Sequence, residues 1–273
     1  MRGIVRRIVW IPRQQWQACA LAPPQDSDAE GLPQGHVLHL WCADLDEAVW
    51  SDLGHGSLDE AERSRAQGMA DALARERYGR SRSLMRQVLA RYLGGRPDAL
   101  QFELLVHGKP RLHSAVGNEA PLQFNLSHSR SAWLLAVTCV DPLGVDLELP
   151  RDVPNAARLA ERVFTPAERL SLAEAEAVSP ARRNEVFLEC WTRKEAALKA
   201  LGDGFSLGAA SLHVGFRGGI GAEDSVVLSH PRHPSRPFRL SSLELPWTAH
   251  AACAHAPEIT QVVCRWLTAA TAA

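Results

Sequence analysis

Gly144-Val145-Asp146-Leu147-Glu148-Leu149 decides both the fold and the chemistry of this chain. Read as a strand, it sends Val145, Leu147 and Leu149 to one face and Asp146 and Glu148 to the other, because strand side chains alternate with a period of two. One face suits a core. The other sets two carboxylates side by side, and these repel each other. A hard cation such as Mg2+, which demands oxygen ligands, would relieve that repulsion. A half-exposed edge strand with solvated acids is the plainer reading of the same six residues, since so short a motif has low specificity.

Around this stretch, residues 36–41, 101–106, 122–126 and the apolar run 132–140 read as strands. The last of these ends in the turn Asp141-Pro142-Leu143-Gly144. An arginine-rich helical region opens at Ser57-Leu58-Asp59-Glu60, which has capping-box spacing, and closes at Gly94-Gly95. Leu84, Met85, Val88, Leu89 and Tyr92 give its second half helical apolar spacing. Beyond the central strand, Thr165-Pro166-Ala167-Glu168 is another capping box with proline at the first helical position. Residues 183–201 form a strong helix stopped by Gly202 and Gly204, and 211–216, 225–229, 238–245 and 260–266 read as strands.

Helices, then strands, then helices again predict an α+β fold. The 141–144 turn divides an N-terminal lobe, 36–141, from a C-terminal lobe, 142–273, that holds the acidic strand. Residues 1–35, with Pro23, Pro24, Asp26, Ser27, Asp28, Gly31 and Pro33, are expected to form an extension outside the fold.

The chain has 273 residues and 46% hydrophobic content, enough for one large domain or two lobes of about 100–150 residues. Its formal net charge of -1 provides no global field for nucleic acid or an anionic membrane, so electrostatic specificity must be local. Six scattered cysteines without a CxxC pair fit free thiols in a reducing compartment. The first 22 residues lack the apolar run of a signal peptide, and no stretch approaches the roughly 18 apolar residues of a membrane span. A cytoplasmic protein is expected.

Three further constellations carry candidate chemistry. In Phe187-Leu188-Glu189-Cys190-Trp191-Thr192-Arg193-Lys194-Glu195-Ala196-Ala197-Leu198-Lys199, helical spacing gathers Phe187, Cys190, Trp191 and Leu198 into an apolar stripe with Lys194 in its middle. An ammonium there must snorkel or meet an anion. Glu195 and Lys199 lie four residues apart on the flank, where an exposed ion pair is the plainer reading. Phe124-Asn125-Leu126-Ser127-His128-Ser129 is read as a strand end followed by a polar turn, in which Ser127 and His128 suit phosphate binding better than nucleophilic catalysis. Adjacent strand residues face opposite ways, and no Gly-x-Ser-x-Gly elbow is present; a turn or capping histidine is the alternative. The basic region holds Arg63, Arg65, Arg75, Arg77, Arg80, Arg82, Arg86 and Arg91, with Lys109 further on. Guanidinium forks match phosphate, although most of these charges are expected to be a solvated face with two or three touching a ligand. The aromatic interleaving of a nucleic-acid surface is missing.

Gly108-Lys109-Pro110, Phe124-Asn125-Leu126-Ser127-His128-Ser129, Gly144-Val145-Asp146-Leu147-Glu148 and Trp191-Thr192-Arg193-Lys194-Glu195-Ala196-Ala197-Leu198-Lys199, in that order, resemble the signature of the 4'-phosphopantetheinyl transferase superfamily. The resemblance spans 57–205, and the length points to its monomeric two-lobed, Sfp-like branch. It implies a pseudo-dimer of two similar α+β lobes with coenzyme A in the cleft between them, and transfer of phosphopantetheine to a serine of an acidic acyl or peptidyl carrier protein. It also implies Asp146, Glu148 and Glu195 on Mg2+, and Lys194 and Lys199 facing phosphate charge. Ser127, His128 and Lys109 would hold the nucleotide, with Arg65 and Arg82 as candidates from the basic helices. Where relatives often carry a lysine, an ungapped match lands on Glu62. Glu195, directly or through a metal-bound water, would accept the serine proton, and Lys199 would stabilise the departing adenosine 3',5'-bisphosphate. Another Mg2+-dependent phosphoryl transferase is the enzymatic alternative, lowered because no Walker loop is present. A carrier-protein or anion-binding module without turnover is the other alternative.

Overall fold

The computed structural model describes residues 10–21, 31–51, 53, 55–105, 108–113, 122–202, 204, 208–216, 228–230 and 232–268. Period-two apolar patterning directs the strands into two five-stranded sheets. The first sheet is built from β1 (Trp10–Ile11), β8 (Leu143–Glu148), β9 (Leu228–His230), β10 (His233–Leu243) and β11 (His250–His255). Its order is β1-β10-β11-β8, with β9 also on β10. The second is β2-β12-β3-β7-β6, from β2 (Trp16–Cys19), β3 (Val37–Asp44), β6 (Gln123–Ser129), β7 (Ala132–Thr138) and β12 (Gln261–Leu267). A hairpin of β4 (Phe102–Leu104) and β5 (Pro110–Leu112) stands beside them. With α1 (Glu60–Gln67), α2 (Ala72–Leu93), α3 (Ala156–Val163), α4 (Pro166–Val178) and α5 (Pro180–Leu201), the fold is α+β.

The inner faces of the sheets share one core, in which Leu38, Leu40, Leu134 and Ala136 cluster with Val145, Leu147 and Cys253. Each outer face carries one 22-residue helix. Helix α2 buries Leu84, Met85, Val88, Leu89 and Tyr92 against Trp41, Trp133 and Leu135. It starts at Asp71, whose carboxylate accepts the Leu73 and Ala74 amides, and stops at Gly94, left-handed at φ 63°. Helix α5 sets Ala197, Leu198 and Leu201 on Ala252, Ala254 and Phe238. Gly144 is what lets it lie so close. A Cβ there would collide with the Ala196 carbonyl and the Ala200 amide of the helix backbone.

Several expectations change here. Residues 10–19 lie inside the fold: β1 runs parallel to β10 and β2 parallel to β12, so each sheet takes one strand from the segment expected to be an extension. The lobe boundary is crossed too, because β12 joins the sheet of β3, β6 and β7. The first capping box is Asp59 with Glu62, two residues beyond the expected serine; the one at Thr165 and Glu168 is present as expected. The arginine-rich region is two helices, α1 and α2. Residues 211–216 form no strand. The carbonyls of Leu212, Val214 and Gly215 accept from Lys194 and Arg193, and the Val214 amide donates to Glu168, so side chains satisfy this backbone. Parts of the expected strands 101–106 and 225–229 lie outside the described residues.

Candidate active site

Strand β8 is the edge of its sheet, and the register places Asp146 opposite Ala252 and Glu148 opposite His250 on β11. Both carboxylates therefore face α5, as the alternation requires. Asp146 is buried, and its Oδ1 accepts from Ser127 Oγ at 2.8 Å and from Lys199 Nζ at 2.6 Å. Burial pushes the Asp146 carboxyl above its ordinary value, against the pull of Lys199 and the Ser127 hydroxyl. Glu148 Oε2 accepts from Ser129 Oγ at 2.9 Å, and its Oε1 lies 3.4 Å from Arg151. Glu195, from the facing turn of α5, is raised from 4.5 to about 7, first by burial and then by the Asp146 and Glu148 carboxylates, with Lys199 opposing. Lys199 also donates to Val145 O at 3.1 Å and to Ser127 Oγ at 3.3 Å.

Ser127, Asp146, Glu148 and Lys199 line a cleft of about 370 Å³. Arg65, Arg82 and His128 line it too. Arg65 and Arg82 lie 5.6 and 5.8 Å from the Tyr78 ring centroid, and His128 is near enough to Arg82, Lys199 and Arg65 to feel all three charges. The His128 pKa is lowered by crowding in the cleft, then by Arg82, Lys199 and Arg65, even though part of its ring meets solvent. Arg82 Nε is buried and makes no hydrogen bond, its acid Glu62 standing at 3.5 Å. A cleft lined by both carboxylates and cations suits a polyanion whose negative charge is met by metal on the carboxylates and by guanidinium elsewhere.

Glu62 is occupied elsewhere. With Asp59 it binds the fully buried Arg86, at 2.7 Å each, while Arg86 also donates to Leu100 O at 2.7 Å. The acid at that position ties α1 to α2 and holds Arg82 from behind.

Lys109 donates to Leu143 O at 2.9 Å and lines an adjoining hollow of about 510 Å³ that meets the cleft at Pro110. The larger hollow carries Arg111 and Arg236 but a single acid, Asp141, and that acid is bound by Arg236. The chemistry therefore centres on the smaller cleft.

Lys194 is not among these groups. Its ammonium is fully buried, paired with Glu168 at 2.7 Å and donating to Ala209 O at 2.9 Å and to Leu212 O. The anion it meets on the apolar stripe is a glutamate of α4, so it clamps the 208–216 segment rather than facing phosphate. Among the described residues no three His, Cys, Asp or Glu side chains converge closely enough to hold a metal unaided. Ser129 and Asn125 carry no role in the sequence analysis. Their period-two spacing with Ser127 was the available signal.

A family model described as the 4'-phosphopantetheinyl transferase superfamily matches residues 142–254. The chain is 36% identical over 171 residues to the 4'-phosphopantetheinyl transferase HetI of Nostoc, an alignment covering 62% of this chain and 70% of that protein. It is 30% identical over 131 residues to a 4'-phosphopantetheinyl transferase of Bacillus subtilis, covering 48% of this chain and 54% of the relative. With AcpT of Escherichia coli K12 it shares 37% over 128 residues, 47% of this chain and 58% of the relative. The chain thus spans little more than half the length of the latter two. No helix among the described residues is long and apolar enough to cross a membrane.

Proposed function

The chain belongs to the 4'-phosphopantetheinyl transferase superfamily, and from that premise we propose that it moves the phosphopantetheine arm of coenzyme A to a serine of an apo acyl or peptidyl carrier protein. The observation that carries this reading is the mixed lining of the cleft, where Asp146, Glu148 and Lys199, with Glu195 coupled to them from α5, share one hollow with Arg65, Arg82 and His128. Coenzyme A has charge to match both sets: a pyrophosphate where reaction occurs and a 3'-phosphate on the distant ribose. Lys109, in the adjoining hollow, supports placing the nucleotide there.

The donor set fits a hard divalent cation, Mg2+ on our reading. All three groups are carboxylate oxygens, and Glu195 is raised first by burial and then by the neighbouring carboxylates, whose repulsion a cation removes. Mg2+ binds through one or two carboxylates and completes its shell with water and phosphate oxygens, so a closed protein cage is not required. Asp146, Glu148 and Glu195 would hold it. When bound, it supplies compensation for the pyrophosphate charge that otherwise repels a nucleophile.

The serine oxygen forms a bond to the phosphorus bearing pantetheine, while the bond from that phosphorus to the bridging oxygen breaks. The electron pair leaves on adenosine 3',5'-bisphosphate. Glu195 accepts the serine proton. Lys199, already 2.6 Å from Asp146, is placed to meet the leaving oxygen's charge. Lys194 takes no part.

The carrier is expected to be acidic, the protein monomeric with two pseudo-symmetric lobes, and its compartment the cytoplasm. Incubating an apo carrier protein with the protein, coenzyme A and Mg2+ and weighing the product tests the reading. A gain equal to the phosphopantetheinyl mass supports it, and no gain across fatty-acid, polyketide and nonribosomal-peptide carriers overturns it.

A further inference from the structure

β6 and β8 are the edge strands of different sheets, and side chains of one satisfy the backbone of the other. Asn125 Oδ1 accepts the Val145 amide at 2.8 Å, Ser127 Oγ accepts the Leu147 amide at 3.3 Å, and Ser129 Oγ lies 3.5 Å from the Leu149 amide. Alternate residues of β6 thus hook alternate amides of β8, at the period of two that both strands share. An edge strand's outward amides need partners once buried, and here a three-rung ladder of side chains provides them. Two rungs do more. Ser127 and Ser129 each donate their hydroxyl proton to the carboxylate of the residue just before the amide they receive, Asp146 at 2.8 Å and Glu148 at 2.9 Å. Asn125 has no such carboxylate, because residue 144 is glycine.

We propose that Ser129 is a positioning residue for the transfer reaction, aiming the Glu148 carboxylate at the cation site, and that the ladder fixes the carboxylates of one sheet against the strand that carries His128 in the other. This rests on the transferase reading above. A rotatable glutamate is a poorer ligand than one whose second oxygen is already bonded, and the partners of ligating carboxylates typically govern metal affinity by about 10–100-fold.

The test measures Mn2+ binding, from the electron-paramagnetic signal of free Mn2+, to the full chain with coenzyme A and no carrier, alongside melting temperature. Ser129→Ala should bind Mn2+ about tenfold more weakly, and Ser129→Thr, which restores the hydroxyl, should return most of that affinity. Asn125→Ala removes a rung distant from the carboxylates and should lower the melting temperature while leaving Mn2+ affinity in place. Wild-type affinity in Ser129→Ala overturns the proposal, as does an equal loss in Asn125→Ala. If Asn125→Ala does not fold, the Ala and Thr pair at 129 decides by itself. A wild-type protein that modifies carriers while Ser129→Ala keeps full affinity defeats this inference alone; one that modifies no carrier defeats the transferase reading.

Discussion

Replacing Glu195 with glutamine should stabilise the metal-free protein, and should do so only above the pH at which an ordinary glutamate ionises. Burial and the carboxylates of Asp146 and Glu148 hold Glu195 up from 4.5 to about 7. In the unfolded chain the same group titrates at the ordinary value. An acid with a raised folded pKa carries no penalty below the unfolded value, where both states keep the proton. As pH rises the unfolded chain releases its proton first, stability falls, and the fall ends once the folded group ionises as well. At about 1.36 kcal/mol per unit, the interval from 4.5 to about 7 amounts to about 3 kcal/mol at the plateau. Glutamine keeps the shape without the charge. Urea unfolding of both proteins in EDTA should therefore give nearly equal stabilities near the ordinary glutamate pKa. The advantage of Glu195→Gln should grow toward neutrality and level off above it. Mg2+ with coenzyme A should shrink it, since ligand binding to the native wild type restores stability by mass action. A pH-independent difference, or a variant less stable throughout, refutes the reasoning.

Gly144→Ala should lower stability by about 1–3 kcal/mol or more and cut turnover, because the new methyl meets helix backbone that cannot yield and pushes Glu195 and Lys199 off β8; an unchanged melting temperature and rate would contradict this. Lys194→Met should cost about 3–5 kcal/mol by stranding Glu168 in the core, with the double variant Lys194→Met, Glu168→Gln recovering part of it and the KM for coenzyme A unmoved in the folded protein. A selective rise in that KM would return Lys194 to the phosphates. His128 has a lowered pKa in the free cleft and would be charged by an arriving 3'-phosphate, so the kcat/KM preference for coenzyme A over dephospho-coenzyme A should be largest at mildly acidic pH and weaken as pH rises. In His128→Gln that preference should be smaller and lose this pH dependence. An identical profile in both proteins removes His128 from the site.

The paired acids of β8 and the Glu195–Lys199 spacing were legible because they obey local periodicities, two for the strand and 3.6 for the helix. The sheet partners were less so. β11 reads His250-Ala251-Ala252-Cys253-Ala254-His255, without the β-branched residues that announce a strand; Ala252 and Ala254 are small because α5 lies on them. β1 and β2 are short and precede a proline-rich stretch, so nothing local marks them as strands whose partners lie more than 200 residues away.

Alone, then, the sequence determined which residue types share a face: two carboxylates beside an apolar strand, and a glutamate and a lysine one turn apart. Only the tertiary structure decided what those faces meet. It turned Lys194 inward to Glu168, gave Glu62 to Arg86 rather than to the cleft, set Lys199 on Asp146, and hooked Ser129 to Glu148 from another sheet. The physical reason is that periodicity is a property of neighbouring residues. The partner of a buried charge is instead chosen by whichever distant element supplies hydrogen bonds at the depth where water is excluded.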